Sequence, residues 1–321
     1  MKADRAVAFD TAQESKLHLL VGVFGLVWLV NAGFQAMAWL VVPGAKANFI
    51  HALAKSTSAV PAWLRPLQTI GLHGAEAVGA GIAAGGMVLV AILLGVALLV
   101  RKNVALAAVA GIVYSLVCWV FLDGFGYPYA GGQTDPGVFV AYAIAFLFLL
   151  SAAPALEHSG TDAPRADGRL WHAARVAFGL LWLFDAVLKW LPAFLLHFAS
   201  QITSVIPGQP HWIAVWLSFV AELVHAVGPV LVAVLVALAE TLIAVGLLSG
   251  RWLRLLIPVG ILYSLMVWIT AEAFGGPYSL AGTGVRGNVL GNVLIYVIPF
   301  LFLWVGYKAE NRGPSERHRP S

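Results

Sequence analysis

Residues 25–35 read GLVWLVNAGFQ, and residues 179–189 read GLLWLFDAVLK. The offset is 179 − 25 = 154, and His18 and His172 share it. YAIAFLFLL at Tyr142 and YVIPFLFLW at Tyr296 are again 154 apart, and GIVYSLVCW at Gly111 and GILYSLMVW at Gly260 are 149 apart. Several matches in one order read as a tandem duplication. Residues 1–156 form a first, diverged unit and residues 171–308 a second. The polar stretch EHSGTDAPRADGR joins them as a linker over 157–170, and 309–321 is a polar tail.

Each repeated string is apolar. The chain is 60% hydrophobic and only 11% charged, with a mean hydropathy of +0.87. A soluble domain carries about 25% charged residues, so there is too little polar surface here to cover a water-soluble globule. The apolar runs are long and unbroken, which favours helices over a lipid-facing barrel. A helix needs ~20 apolar residues to cross the hydrocarbon. About eight runs qualify: Leu17–Val42, Gly74–Val100, Val104–Leu122, Gly137–Ala153, Ala173–Leu196, Pro229–Ser249, Leu253–Ala271 and Asn288–Gly306. Ala45–Ser58 and the Trp-bearing His211–Val227 read as surface helices. The expected fold is an all-α integral membrane protein, with two four-helix bundles as parallel repeats. Four spans per unit return each unit to its starting side.

Lys and Arg set the expected orientation. With the N-terminus in the cytoplasm, 14 of the 19 basic residues fall on the inner side and 5 on the outer. The positive-inside rule then places both termini in the cytoplasm of a multi-pass plasma (inner) membrane protein. The basic residues lie at segment ends, so the net charge of +4 is not a nucleic-acid signal. Cys118 stands alone in an apolar run and excludes an internal disulfide or a thiolate metal site. His18 and His172 read as inner-interface residues. The pairs His73/Glu76 and Glu222/His225 lack further ligands, so no metal site is expected. Phosphate loops, dinucleotide fingerprints and haem-attachment motifs do not occur.

Two constellations carry chemistry. The first lies in the membrane. Asp185 and Lys189 are four apart, on one helix face. Asp185 is thirteen residues past His172, roughly 20 Å along a helix. Glu240 is eleven residues before Arg251, roughly 16 Å from the inner boundary. Charges at that depth are costly and mark a function by default, although a buried ion pair that fixes helix register accounts for the same residues. The first unit is neutral at these positions, with Asn31, Gln35 and Ala91. The second constellation is repeated at the outer ends of the third and seventh spans: LDGFGYPYAGGQT from Leu122 and AEAFGGPYSLAGT from Ala271. Asp123 and Glu272 correspond, as do Trp119 and Trp268, and Tyr129 and Tyr278. An acid one turn from a Trp forms an apolar slot with a polar tip, suited to a quinone head group; a helix stop with an aromatic anchor gives the same pattern.

The strings GLLWLFDAVLKWLP, ETLIAVGLLSGRWLR, AEAFGGPYSLAGT and YVIPFLFLW, spanning Gly179 to Trp304, resemble the DoxX/DoxD family of four-span membrane proteins. The resemblance implies a membrane subunit of a thiosulfate:quinone oxidoreductase, with a noncovalently bound quinone and a small partner subunit. It implies oxidation of thiosulfate at the outer face. Glu272 and Asp123 would then handle protons, Trp268, Tyr278, Trp119 and Tyr129 would line the quinone, and Asp185, Lys189 and Glu240 would form a relay. A membrane scaffold for a redox or stress-response partner, and a small-solute or proton pathway, are the alternatives. The chain departs from the pattern in one place. A Thr-Asp pair is expected after the turn; the second unit has Thr283-Gly284, and the first keeps Thr134-Asp135. Either the two units share a composite site or neither site is intact.

Overall fold

The computed structural model describes residues 7–9, 11–42, 44–126, 128–129, 134–157, 165–275 and 290–311. The chain is mainly helical in these residues, with one two-residue ladder. Helix α1 spans Thr11–Ala36 and runs on through a π-helical turn at Met37–Val41. Then come α2 (Ala45–Ala59), α3 (Arg65–Val78), α4 (Ala80–Val100), α5 (Val104–Phe121) and α6 (Val138–Glu157). The second half holds α7 (Gly168–Lys189), the short α8 (Pro192–Leu195) and α9 (Phe198–Thr203), α10 (His211–Val227), α11 (Pro229–Ser249), α12 (Leu253–Ile269) and α13 (Val293–Asn311).

Six of these are long and apolar enough to cross a membrane: α1 with its π turn, α4, α5, α6, α7 and α11. Their outward faces are apolar too, with Ile82, Leu89, Leu93, Leu106, Leu180 and Leu242 all exposed. A helix apolar on every side suits a bilayer rather than water. Two of the eight expected spans fall outside these six. The run Leu253–Ala271 forms a helix of 17 residues, Leu253–Ile269; at ~1.5 Å per residue it falls short of ~30 Å of hydrocarbon. In the run Asn288–Gly306 the described helix begins at Val293, and its apolar part ends at Tyr307.

The expected span Gly74–Val100 is broken. Gly79 takes φ +99°, which ends α3 and starts α4. Gly228, 228 − 79 = 149 positions on, takes φ +106° between α10 and α11. Only glycine adopts such angles readily, so α3 is a helix of its own, lying before α4 as α10 lies before α11.

The packing is laid out twice. Helix α1 packs on α4 and α5 on α6; α7 packs on α11 and α12 on α13. Between the halves, α6 packs on α7 and α13, and α13 also packs on α1. Helix α6 lies deepest, with 78% of its central window buried against 33–44% for the other long helices. The same aromatic frame appears in each half. Trp28 meets Tyr114 at 5.7 Å, and Trp182 meets Tyr263 at 5.7 Å. Phe24 and Phe146 are 4.8 Å apart, as are Phe178 and Phe300.

The linker is anchored at its far end. Val7–Ala8 pairs antiparallel with Arg165–Ala166. Asp167 caps α7, its carboxylate accepting from the N–H of Arg169 and Leu170 at 2.9 and 3.1 Å.

Candidate functional site

Helix α7 ends with Asp185 and Lys189 facing inward, 3% and 8% exposed. Helix α11 packs along α7 and brings Glu240, 3% exposed, opposite them. Lys189 Nζ lies 3.0 Å from Glu240 Oε2. The Tyr263 hydroxyl of α12 donates to Glu240 Oε1 at 2.7 Å. Lys189 also sits 5.6 Å above the Phe194 ring of α8. A charge this deep needs a partner and further hydrogen bonds to persist, and both lie within one group of side chains. The Tyr296 hydroxyl of α13 neighbours the Asp185 carboxyl, although neither closes a hydrogen bond there by distance and angle.

The first half supplies the rest. Lys189 Nζ donates to the backbone carbonyl of Thr134 at 2.8 Å. Asp135 Oδ1 accepts from its own loop at Gly137 N, 2.8 Å, and from Asn292 Nδ2 across the halves, 2.8 Å. Thr134, Asp135, Asp185, Lys189, Glu240 and Glu272 all line one cavity of about 250 Å³. Thr134 and Asp135 of the first unit thus line the same cavity as the intramembrane acids of the second.

Glu272 follows α12 and reaches the start of α13. Its Oε1 accepts from Asn292 N at 2.7 Å and Val293 N at 3.2 Å. These N–H groups belong to a helix N-terminus, where a carboxylate is favoured. Burial nevertheless pushes the Glu272 carboxyl up to about 8, aided by the charge of Asp135 and opposed by the backbone N–H groups and Lys189.

The remaining wall is mainly apolar, with Gln201 and Thr270 as its polar members. It comes from Phe194 and Phe198 on the short helices, Val220 and Val224 on α10, Val232 and Val236 on α11, and Met266 on α12. The cavity therefore has a charged side with four carboxylates and one ammonium, and an apolar side.

The outer aromatics are placed differently. The Trp268 indole donates to Leu290 O at 2.8 Å and packs on Phe274 at 5.4 Å. Trp119 does the same with Pro136 O at 2.7 Å and Phe125 at 5.2 Å. Phe125 and Phe274 hold left-handed backbone angles, φ +59° and +61°, a conformation costly for a bulky side chain. Each Trp therefore braces a strained turn, and neither lines the cavity. The Tyr129 hydroxyl donates to Gly124 O at 3.2 Å. Tyr278 lies outside the described residues. Asp123 is buried against Gly137 in the first half, away from the cavity.

Comparison with protein-family models, curated proteins and solved structures finds no match for this chain. The site is therefore read on its own chemistry. Tyr263 and Tyr296, both on its wall, stand inside the repeated strings GILYSLMVW and YVIPFLFLW. Their recurrence at Tyr114 and Tyr142 marks them as part of the repeat and hides their second role.

Proposed function

We propose that this chain is a DoxX/DoxD-like membrane protein of two parallel four-helix units and eight spans, with both termini in the cytoplasm. In this reading it serves as the quinone-associated subunit of an oxidoreductase of the thiosulfate:quinone type. The observation that supports it is the two-sided cavity, with one charged wall and one apolar wall, assembled from both halves. Ligand pockets run from roughly 300 Å³ upwards, so about 250 Å³ fits a single substituted ring. The residues suit a quinone: apolar walls for its ring, and a cluster of hydrogen-bonding groups beside it.

A quinone supplies the acceptance of two electrons and two protons. The protein's part is to bind, orient and exchange protons. Phe194 and Phe198 exclude water from one side. Lys189 is held by Glu240 and the Thr134 carbonyl, which fixes the positive charge beside Asp185. Asp185 and Tyr296 face the ligand at one end of the cavity, and Glu272 holds a proton at the loop end. The electron donor, thiosulfate, would act at the outer face with a small partner subunit.

A proton or small-solute pathway is the second reading, favoured by the four carboxylates that share this cavity. One experiment separates the two. The protein in nanodiscs is given thiosulfate and a soluble quinone analogue, and quinone reduction is followed with wild type and Asp185→Asn. The oxidoreductase reading expects reduction that the substitution abolishes. No reduction in wild type, with proton flux in liposomes that Asp185→Asn blocks, would favour the pathway. Neither activity would leave a scaffold, in which these charges serve stability alone.

A further inference from the structure

Four buried polar atoms in residues that line the cavity close no hydrogen bond by geometry among the described residues; Glu240 Oε2 is ion-paired with Lys189, which leaves Trp182 Nε1 and the neighbouring Asp185 Oδ1 and Tyr296 OH. Their residues are 1%, 3% and 1% exposed. Buried polar groups in native proteins are almost always paired. Three orphans around one cavity therefore point to the chemistry of what it takes.

The counterpart of Trp182 sharpens this. Trp28 stands 182 − 28 = 154 positions earlier and donates its indole N–H to Ala91 O at 2.7 Å. Both indoles sit in the same aromatic frame, each 5.7 Å from a tyrosine of the Tyr-Ser-Leu string. Asn31 Oδ1 and Tyr142 OH, the counterparts of the other two orphans, are also unpaired. The indole is thus the atom that distinguishes the halves. Its N–H is withheld from the backbone in the half where Glu240 replaces Ala91.

An indole N–H only donates, a carboxylate oxygen only accepts, and a phenol does both. An oxygen that accepts from Trp182 and donates to Asp185 belongs to a hydroxyl or to water. The apolar side of the cavity asks for a flat, uncharged body behind it. We infer that Trp182, Asp185 and Tyr296 form a subsite for a ring-borne hydroxyl, the oxygen of a phenol or hydroquinone, and that Trp182 selects for it. The inference rests on the quinone reading of this cavity and narrows it: the reduced, hydroxyl-bearing form of the pair is the preferred ligand.

The test is calorimetric titration of the full chain in nanodiscs, anaerobically and without an electron donor, using a water-soluble hydroquinone and its dimethyl ether. Wild type is expected to prefer the hydroquinone by about tenfold, the weight of one good hydrogen bond. Trp182→Phe lowers hydroquinone affinity by about the same factor. Asp185→Asn, which keeps the shape of the side chain, narrows the preference over the ether. Trp28→Phe loses its bond to Ala91, lowers the unfolding midpoint and leaves the affinity unchanged. Equal affinity for hydroquinone and ether in wild type overturns the subsite, and so does wild-type affinity in Trp182→Phe. Hydroquinone binding with no thiosulfate-driven turnover keeps the subsite and removes the oxidoreductase. Turnover that is identical in wild type and Trp182→Phe does the opposite.

Discussion

Phe148 and Phe302 stack ring on ring, with centroids 5.9 Å apart and planes within 6° of parallel. They are 302 − 148 = 154 positions apart, so each half offers the same residue to the other. This is the geometry expected where two copies of one unit meet across a local two-fold. The contact joins α6 to α13, and both rings are fully buried. Replacing Phe302 with Ala is expected to cost about 3 kcal/mol, read as a lower unfolding midpoint in nanodiscs. The Phe148→Ala, Phe302→Ala pair is expected to cost less than the sum of the singles, because the two rings share one contact. Full additivity would show that they do not support each other.

Among the described residues, Lys189 is the one basic side chain lining the cavity. Lys189→Met would leave Glu240 and Asp185 buried without their counter-charge. Breaking such a pair costs about 3–5 kcal/mol, and neutralising Glu240 as well, in Lys189→Met with Glu240→Gln, should recover most of it. A double variant no more stable than the single would mean that Lys189 does not offset Glu240.

Glu272 gives a pH dependence of known sign. Its carboxyl rises from 4.5 to about 8 on folding, so the folded protein holds that proton more tightly than the unfolded chain. The stabilisation is complete below pH 4.5 and is lost as the pH climbs through about 8. Glu272→Gln keeps an oxygen for Asn292 and Val293 but does not titrate. Unfolding midpoints measured across this window should slope downward for wild type relative to the variant. Parallel curves would remove Glu272 as the titrating group.

Two glycines are predicted to be irreplaceable for the same reason. A Cβ on Gly111 would strike the Phe146 ring, and one on Gly260 would strike Phe300. Either Gly→Ala change should cost about 1–3 kcal/mol by overpacking, with both effects of similar size. Wild-type midpoints would show that the rings can move aside.

Much of the helical order is legible in the sequence, because hydropathy reports spans directly. The break at Gly79 is not, since it falls inside an apolar run and depends on a backbone angle rather than on polarity. The charged residues Asp185, Lys189 and Glu240 stand out because charge is rare in such runs. Trp182 does not, because it looks identical to Trp28, and only the position of the N–H relative to a carbonyl separates them. The outer Trp268 reads as a ligand-facing ring until its indole is seen bound to Leu290 O. Composition says which atoms are polar; it does not say which of them already have partners.

The ammonium of Lys189 meets the first half at a main-chain oxygen, that of Thr134. Every amino acid has such an oxygen. Natural selection can therefore change the letter at position 134 freely without losing the contact, provided the loop keeps its path. A contact of this kind leaves no trace in residue identity, and its record is kept in the glycines and prolines that steer the chain.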